Sequence, residues 1–97
     1  MSQNLPVSLH LKVITPHRLL CEDDVDEVTL PGLEGYLGIL PGHRPLVLAL
    51  GKGKIKYRQG KTEVSHSVQG GYAEVLPEKI LVFTEVSDGE EDEPAQG

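Results

Sequence analysis

Glu34, Tyr36, His43 and Arg44 are the residues of this 97-residue chain whose types and spacing invite a chemical reading. They fall within LPGLEGYLGILPGHRPL, Leu30 to Leu46, at or beside two Pro-Gly pairs ten residues apart. A carboxylate, a phenol, an imidazole and a guanidinium can hold charged or hydrogen-bonding groups of a partner. They do not have the arrangement that catalysis needs. No serine or cysteine beside them resembles a nucleophile elbow. Gly32, Gly35 and Gly38 suggest a phosphate cradle, but such a cradle lies between a strand and a helix whose N-terminus holds the anion. No helical pattern follows, and no lysine stands at the required place. These glycines read as turn and bulge residues.

The remaining candidates for chemistry are weaker still. Glu22, Asp23, Asp24, Asp26 and Glu27 form an acidic run, yet Val28 and Thr29 fall where a calcium loop needs a ligand and a glycine. We read them as charges flanking a strand from Val25 to Leu30. His10, His17, His43 and His66 show no ligand spacing, so no metal or other cofactor is expected. Cys21 lies among acids, which oppose thiolate formation. Being the one cysteine, it gives no disulfide framework and points to a reducing compartment. Lys52, Lys54, Lys56 and Arg58 share one face of an alternating segment and form a basic stripe. Nucleic-acid binding through such a stripe calls for aromatic stacking partners. The chain has four aromatic residues, and Tyr57 falls on the opposite face. A solvated strand face is the simpler reading, with attraction to anionic lipid heads second.

These residues must be positioned by strands. Ser8 to Val13, Lys54 to Arg58 and Glu63 to Gln69 alternate polar and apolar with period two, as half-buried strands do. Tyr72 to Leu76 and Ile80 to Thr84 are short runs of strand-forming residues. Turn residues recur at Thr15-Pro16-His17, Pro31-Gly32, Pro41-Gly42, Gly51-Lys52-Gly53, Gln59-Gly60-Lys61, Gly70-Gly71 and Pro77-Glu78. That spacing predicts an all-β sandwich or barrel. Proline then glycine suits the second and third positions of a type II turn, so both Pro-Gly pairs are expected to reverse the chain around a strand from Tyr36 to Leu40. The N-terminus has no basic segment leading into an apolar run, so no secretory signal is read there. The longest apolar run, Leu46 to Leu50, is far shorter than the roughly 20 residues of a membrane-spanning helix.

The formal charge of −6 is unevenly placed. Five of the 15 acids lie in the last ten residues, which hold no base; the first 87 carry ten acids against nine bases. We therefore expect one folded domain, residues 1–86, followed by a disordered acidic tail, residues 87–97 (SDGEEDEPAQG), too polar to bury a core.

The string VDEVTLPGLEGYLGILPGHRPL resembles the N-terminal domain of the epsilon subunit of F-type ATP synthases. LHLKVITP, LALGKGKIKY and GGYAEVLPEKILVFTE extend the resemblance in order over residues 7–86. It implies a ten-stranded β-sandwich, or flattened barrel, in the rotor's central stalk, between the gamma subunit and the c-subunit ring. It further implies no catalysis by this chain itself, no nucleic acid, and a peripheral place on the cytoplasmic face of a bacterial inner membrane. Glu34, Tyr36, His43 and Arg44 map onto the ring-facing turns, and Leu48 lies nearer gamma. Tyr36 stands where relatives often carry an acid. The family commonly continues into two C-terminal helices; here only the acidic segment follows, and its lack of a helix start favours a naturally short branch over a shortened piece. A free-standing module binding nucleic acid through Lys52 to Arg58 is the alternative, and an enzyme is third.

Overall fold

A computed structural model of the chain describes residues 6–86. Eight strands run in order: β1 (Leu9–Ile14), β2 (Leu19–Val25), β3 (Glu27–Gly32), β4 (Gly35–Ile39), β5 (Leu46–Ala49), β6 (Lys52–Gln59), β7 (Thr62–Val75) and β8 (Lys79–Val86). No helix occurs among the described residues. The strands form one sheet in the order β2-β1-β8-β7-β6-β3-β4, with β5 beside β7 off this path. All pairings are antiparallel except β1 with β8.

The all-β class and the period-two segments agree with the sequence; the strand count does not. Among the described residues eight strands stand where ten were expected, and the sheet is open rather than closed into a barrel. One reason lies in β7. The segments Glu63 to Gln69 and Tyr72 to Leu76 join into a single 14-residue strand, because Gly70 and Gly71 form an irregularity in the ladder without ending it. The first part of β7 pairs with β6, and the part beyond the irregularity pairs with β5. A long strand can thus serve two neighbours on one side. The sheet folds over its own inner face, where Leu9, Leu11, Val13, Val28, Leu30, Ile55, Val68, Val75, Ile80 and Val82 are wholly buried. Each comes from an alternate position, as the two-residue period requires.

The acidic run is also placed differently from the expectation. Glu22, Asp23 and Asp24 lie within β2, and β3 begins only at Glu27. The path ends at β2, which pairs with β1 alone. An edge strand tolerates charge because its outer side faces water, and charge deters pairing with other chains. The β1–β2 turn is closed by Thr15. Its Oγ1 accepts hydrogen bonds from the backbone N–H of His17 and Arg18 (3.2 and 3.1 Å) and donates to the Arg18 carbonyl (3.0 Å). The expected disordered tail, residues 87–97, lies outside the described residues.

Candidate functional site

The first Pro-Gly pair does not reverse the chain. Pro31 and Gly32 are inside β3, opposite Tyr36 and Gly35, and the reversal falls on Leu33 and Glu34. Glu34 is therefore an exposed hairpin tip. Tyr36 is 57% exposed, but its ring is held. The Tyr36 hydroxyl accepts a hydrogen bond from the Lys54 backbone N–H at 3.0 Å. A Cβ added at Gly53 would lie 2.5 Å from that hydroxyl and 2.9 Å from the Pro31 Cβ, so only glycine leaves room for the ring to cross β6. Leu33, Glu34, Tyr36, Leu37, Val47 and Leu48 line a groove of about 420 Å³ along this hairpin.

The second Pro-Gly pair does reverse the chain. Gly42 has φ 90°, and the His43 N–H donates to the Leu40 carbonyl at 3.2 Å, closing a four-residue turn. Glycine suits the third position because that φ strains residues with a Cβ. The Gly42 N–H also donates to the Pro77 carbonyl at 2.7 Å, tying the turn to the segment before β8. The His43 Nδ1–H donates to the Arg44 carbonyl at 2.7 Å, which fixes the ring. Arg44 is exposed two residues before β5. The structure thus gathers Glu34, Tyr36 and Leu48 round one groove, while His43 and Arg44 occupy a separate turn and do not line it.

Several of the other candidate charges are taken up in local pairs. His10 Nδ1 lies 2.8 Å from Asp24 Oδ1, and Nε2 lies 2.8 Å from Glu22 Oε2. Two carboxylate acceptors call for both ring N–H groups, hence the imidazolium. The hydrogen bonds to Asp24 and then Glu22 raise the His10 pKa above its ordinary 6.5. The bond to His10 lowers the Glu22 pKa below its ordinary 4.5. Arg58 is claimed by Glu27 at 3.2 Å and Asp26 at 3.5 Å, which removes one charge from the basic stripe. Tyr57 is buried, so it offers no stacking surface beside the lysines.

Reading the sequence missed a second surface. Ala49 pairs with Tyr72, Tyr72 with Phe83, Phe83 with Ile14, and Ile14 with Leu19. These five residues form one apolar row across five strands, on the face away from the core. Ala49, Tyr72 and Leu19 are exposed, the latter two at 50% and 48%. The Tyr72 and Phe83 rings stack with centroids 5.2 Å apart. The next row, Val47, Glu74, Leu81, Lys12 and Glu22, is mixed, so the apolar row has a polar margin on that side. Ala49 also borders the hairpin groove. At the other end, Phe83 and Ile14 border a further groove of about 430 Å³ with Thr15, Pro16, Gln69 and Glu85. An apolar surface so bounded has the anatomy of a protein interface. The one local signal was that Tyr72 and Phe83 stand at outward positions of their segments.

An open sheet with an outward apolar band and two polar turns has the geometry of a docking domain. Residues 8–87 match the family model described as ATP synthase, Delta/Epsilon chain, beta-sandwich domain, and the chain belongs to that family. It is 42% identical over 88 residues to the ATP synthase epsilon chain of Solibacter usitatus, covering 91% of this chain and 66% of that one. It is 44% identical over 81 residues to the epsilon chain of Lawsonia intracellularis, covering 84% and 61%. The chain therefore spans less than two thirds of the length of these relatives. In fold it resembles a chain of the Euglena gracilis mitochondrial ATP synthase (OSCP/F1/c-ring), with TM-score 0.79, 23% identity, and coverage of 87% of this chain and 54% of that one. It also resembles a chain of the Tetrahymena thermophila mitochondrial ATP synthase central stalk/c-ring, with TM-score 0.69, 15% identity, and coverage of 96% and 81%.

Proposed function

We propose that this chain is an epsilon-type, non-catalytic subunit of the central stalk of a proton-translocating F-type ATP synthase. In this reading it packs on the gamma subunit, rests on the c-subunit ring, and helps couple proton flow to ATP synthesis. Its place is peripheral, at the cytoplasmic face of a bacterial inner membrane, and it uses no cofactor. The observation that carries the reading is the apolar row Ala49–Tyr72–Phe83–Ile14–Leu19, continuous with the groove that holds Leu48. A surface of that kind suits a lasting protein partner, for which gamma is the candidate. Glu34 and Tyr36 on one turn, with His43 and Arg44 on the next, supply polar contacts suited to the loops of the ring. Both turns are fixed before binding, by the Tyr36–Lys54 bond and by the Leu40–His43 bond, which lowers the entropic cost of docking.

The test is reconstitution with gamma and the ring. Tyr72→Glu should cut co-purification with gamma by about tenfold or more, since a charge would be buried unpaired. His43→Ala should weaken attachment to the ring while leaving the thermal midpoint of the isolated domain unchanged. If both variants assemble as tightly as the parent, the reading fails.

A further inference from the structure

The two ends of the sheet path are protected unequally. β2, at one end, carries Glu22, Asp23 and Asp24, and its ladder to β1 is irregular. β4, at the other, reads GYLGI, with no charge and no proline. Its register with β3 is unbroken, and β3 is its one neighbour among the described residues. Edge strands are ordinarily kept from pairing with other chains by charge, proline or a bulge. β4 has none of these. β5 is also uncharged and pairs with β7, but it is four residues long and the Leu33 N–H already donates to its Ala49 carbonyl.

The backbone groups on the open side of β4 follow from β3. The Pro31 carbonyl accepts from the Gly51 N–H, which leads into β6 on the far side of β3. Pro31 thus turns its backbone away from β4, and Tyr36 opposite it turns away from β3. The alternation repeats at Gly38, opposite Thr29. The N–H and C=O groups of Tyr36 and Gly38 therefore line the open edge. Side chains leave that edge clear. The bond to Lys54 draws the Tyr36 ring back towards β6, and a Cβ added at Gly38 would meet no atom within 4 Å. Beside the edge, Leu37 borders the groove with Val47 and Leu48.

We propose that β4 pairs with β4 of a second copy of this chain, antiparallel and centred on Leu37. Tyr36 and Gly38 lie symmetrically about Leu37, so this register sets Tyr36 of each copy opposite Gly38 of the other. Their outward groups meet as hydrogen-bonded pairs, and a two-fold axis passes between the two Leu37 residues. The leucines form the close pair without hydrogen bonds, at the groove. Charge agrees with this arrangement. Glu34 of each copy comes level with Leu40 of the other, beside the turn that leads to Arg44. The β6 lysines of the two copies stand five strand spacings apart, roughly 24 Å, well beyond the screening length of about 8 Å. Five residues a side is far fewer than the roughly 20 of a lasting interface, so the pair is transient. It covers the Glu34–Tyr36 hairpin and is a form of the chain before that hairpin docks elsewhere. The inference rests on the edge alone and stands apart from the subunit assignment.

The test uses the full chain carrying Cys21→Ser, into which Leu37→Cys or Gly38→Cys is introduced. Under mild oxidation Leu37→Cys should form disulfide-linked dimers about tenfold faster than Gly38→Cys. Opposed residues at position 37 have Cα atoms about 4.5 Å apart, within disulfide reach. Those at position 38 are offset by about 7 Å along the strand as well as across it, which is beyond reach. Adding Gly38→Lys, for which the structure has room, should remove the advantage of Leu37→Cys. A second readout needs no cysteine. In the parent, amide exchange at Tyr36 and Gly38 should slow between about 10 μM and about 1 mM protein, the range in which a weak pair fills. Exchange at Val47 should not change, and Gly38→Lys should abolish the effect at Tyr36. Equal coupling at positions 37 and 38, concentration-dependent protection at Val47 instead, or exchange at Tyr36 that ignores concentration would each overturn the proposal.

Discussion

Pro31-Gly32 and Pro41-Gly42 are the same dipeptide ten residues apart, and the fold uses them in different ways. Pro41-Gly42 lies outside any strand, and its backbone is satisfied by the bonds from His43 to Leu40 and from Gly42 to Pro77. Pro31-Gly32 is built into β3, with Tyr36 and Gly35 opposite, and the Pro31 carbonyl accepts from the Gly51 N–H at 2.8 Å. Pro31 is buried and Gly42 is exposed. Turn chemistry makes a reversal available; the neighbouring backbone decides whether it is used. Where a ladder partner waits on each side, the chain stays extended and the reversal moves to Leu33-Glu34.

The comparison can be broken most forcefully at Gly53, which makes room for the ring that covers the first pair. Gly53→Ala should destabilise the domain by about 1–3 kcal/mol, because the new methyl group must displace Tyr36 or Pro31. Combining it with Tyr36→Phe, which removes the nearest atom, should recover part of that loss in a chemical-denaturation series. A Gly53→Ala chain as stable as the parent would mean that the ring does not cross β6. Next comes Gly42→Ala. Space is open there, so only the positive φ penalises the change, and a loss of about 1–2 kcal/mol is expected. Pro31→Ala should lose less, about 0.4–1 kcal/mol, chiefly through the greater freedom of the unfolded chain. If Pro31→Ala lost more than Gly42→Ala, the two pairs would have exchanged the roles assigned to them.

The same contrast explains which parts of the molecule could be read from the sequence. Alternation within β1, β6 and the first part of β7, and the turn residues between them, report local preferences, and they led to the all-β class. Pro41-Gly42 was legible because its geometry is complete within four residues. β7 was not, since Gly70-Gly71 looks like a turn until β8 is known to lie alongside it. β2 was hidden by its acids, which suit an edge strand with one neighbour but depress strand propensity in isolation. In the candidate site, Glu34, Tyr36 and His43 were marked by their turns. The row through Ala49, Tyr72, Phe83, Ile14 and Leu19 depends on four pairings between residues up to 69 positions apart, and no local pattern contains it.

The smallest expected effect falls far from both Pro-Gly pairs and sharpens the contrast by changing charge instead of backbone. His10 bridges β1 to the edge strand β2 through Asp24 and Glu22. Its folded pKa is raised above 6.5, so its contribution is complete below that value and is lost as pH rises through the folded pKa. Glu22 is shifted the other way. Its contribution is complete above 4.5 and is lost as pH falls through its lowered folded pKa. Both are present together between 4.5 and 6.5. The side chains are well exposed, so the amplitude should be small, as for surface pairs generally. His10→Gln should therefore narrow the stability difference between slightly acid and slightly alkaline solution. Hydrogen exchange should show the change first in β2, which has no second neighbour in the sheet to hold it. A pH profile identical in parent and variant would mean that the bridge adds nothing, and that β2 is held by its ladder to β1 and by Val25 in the core.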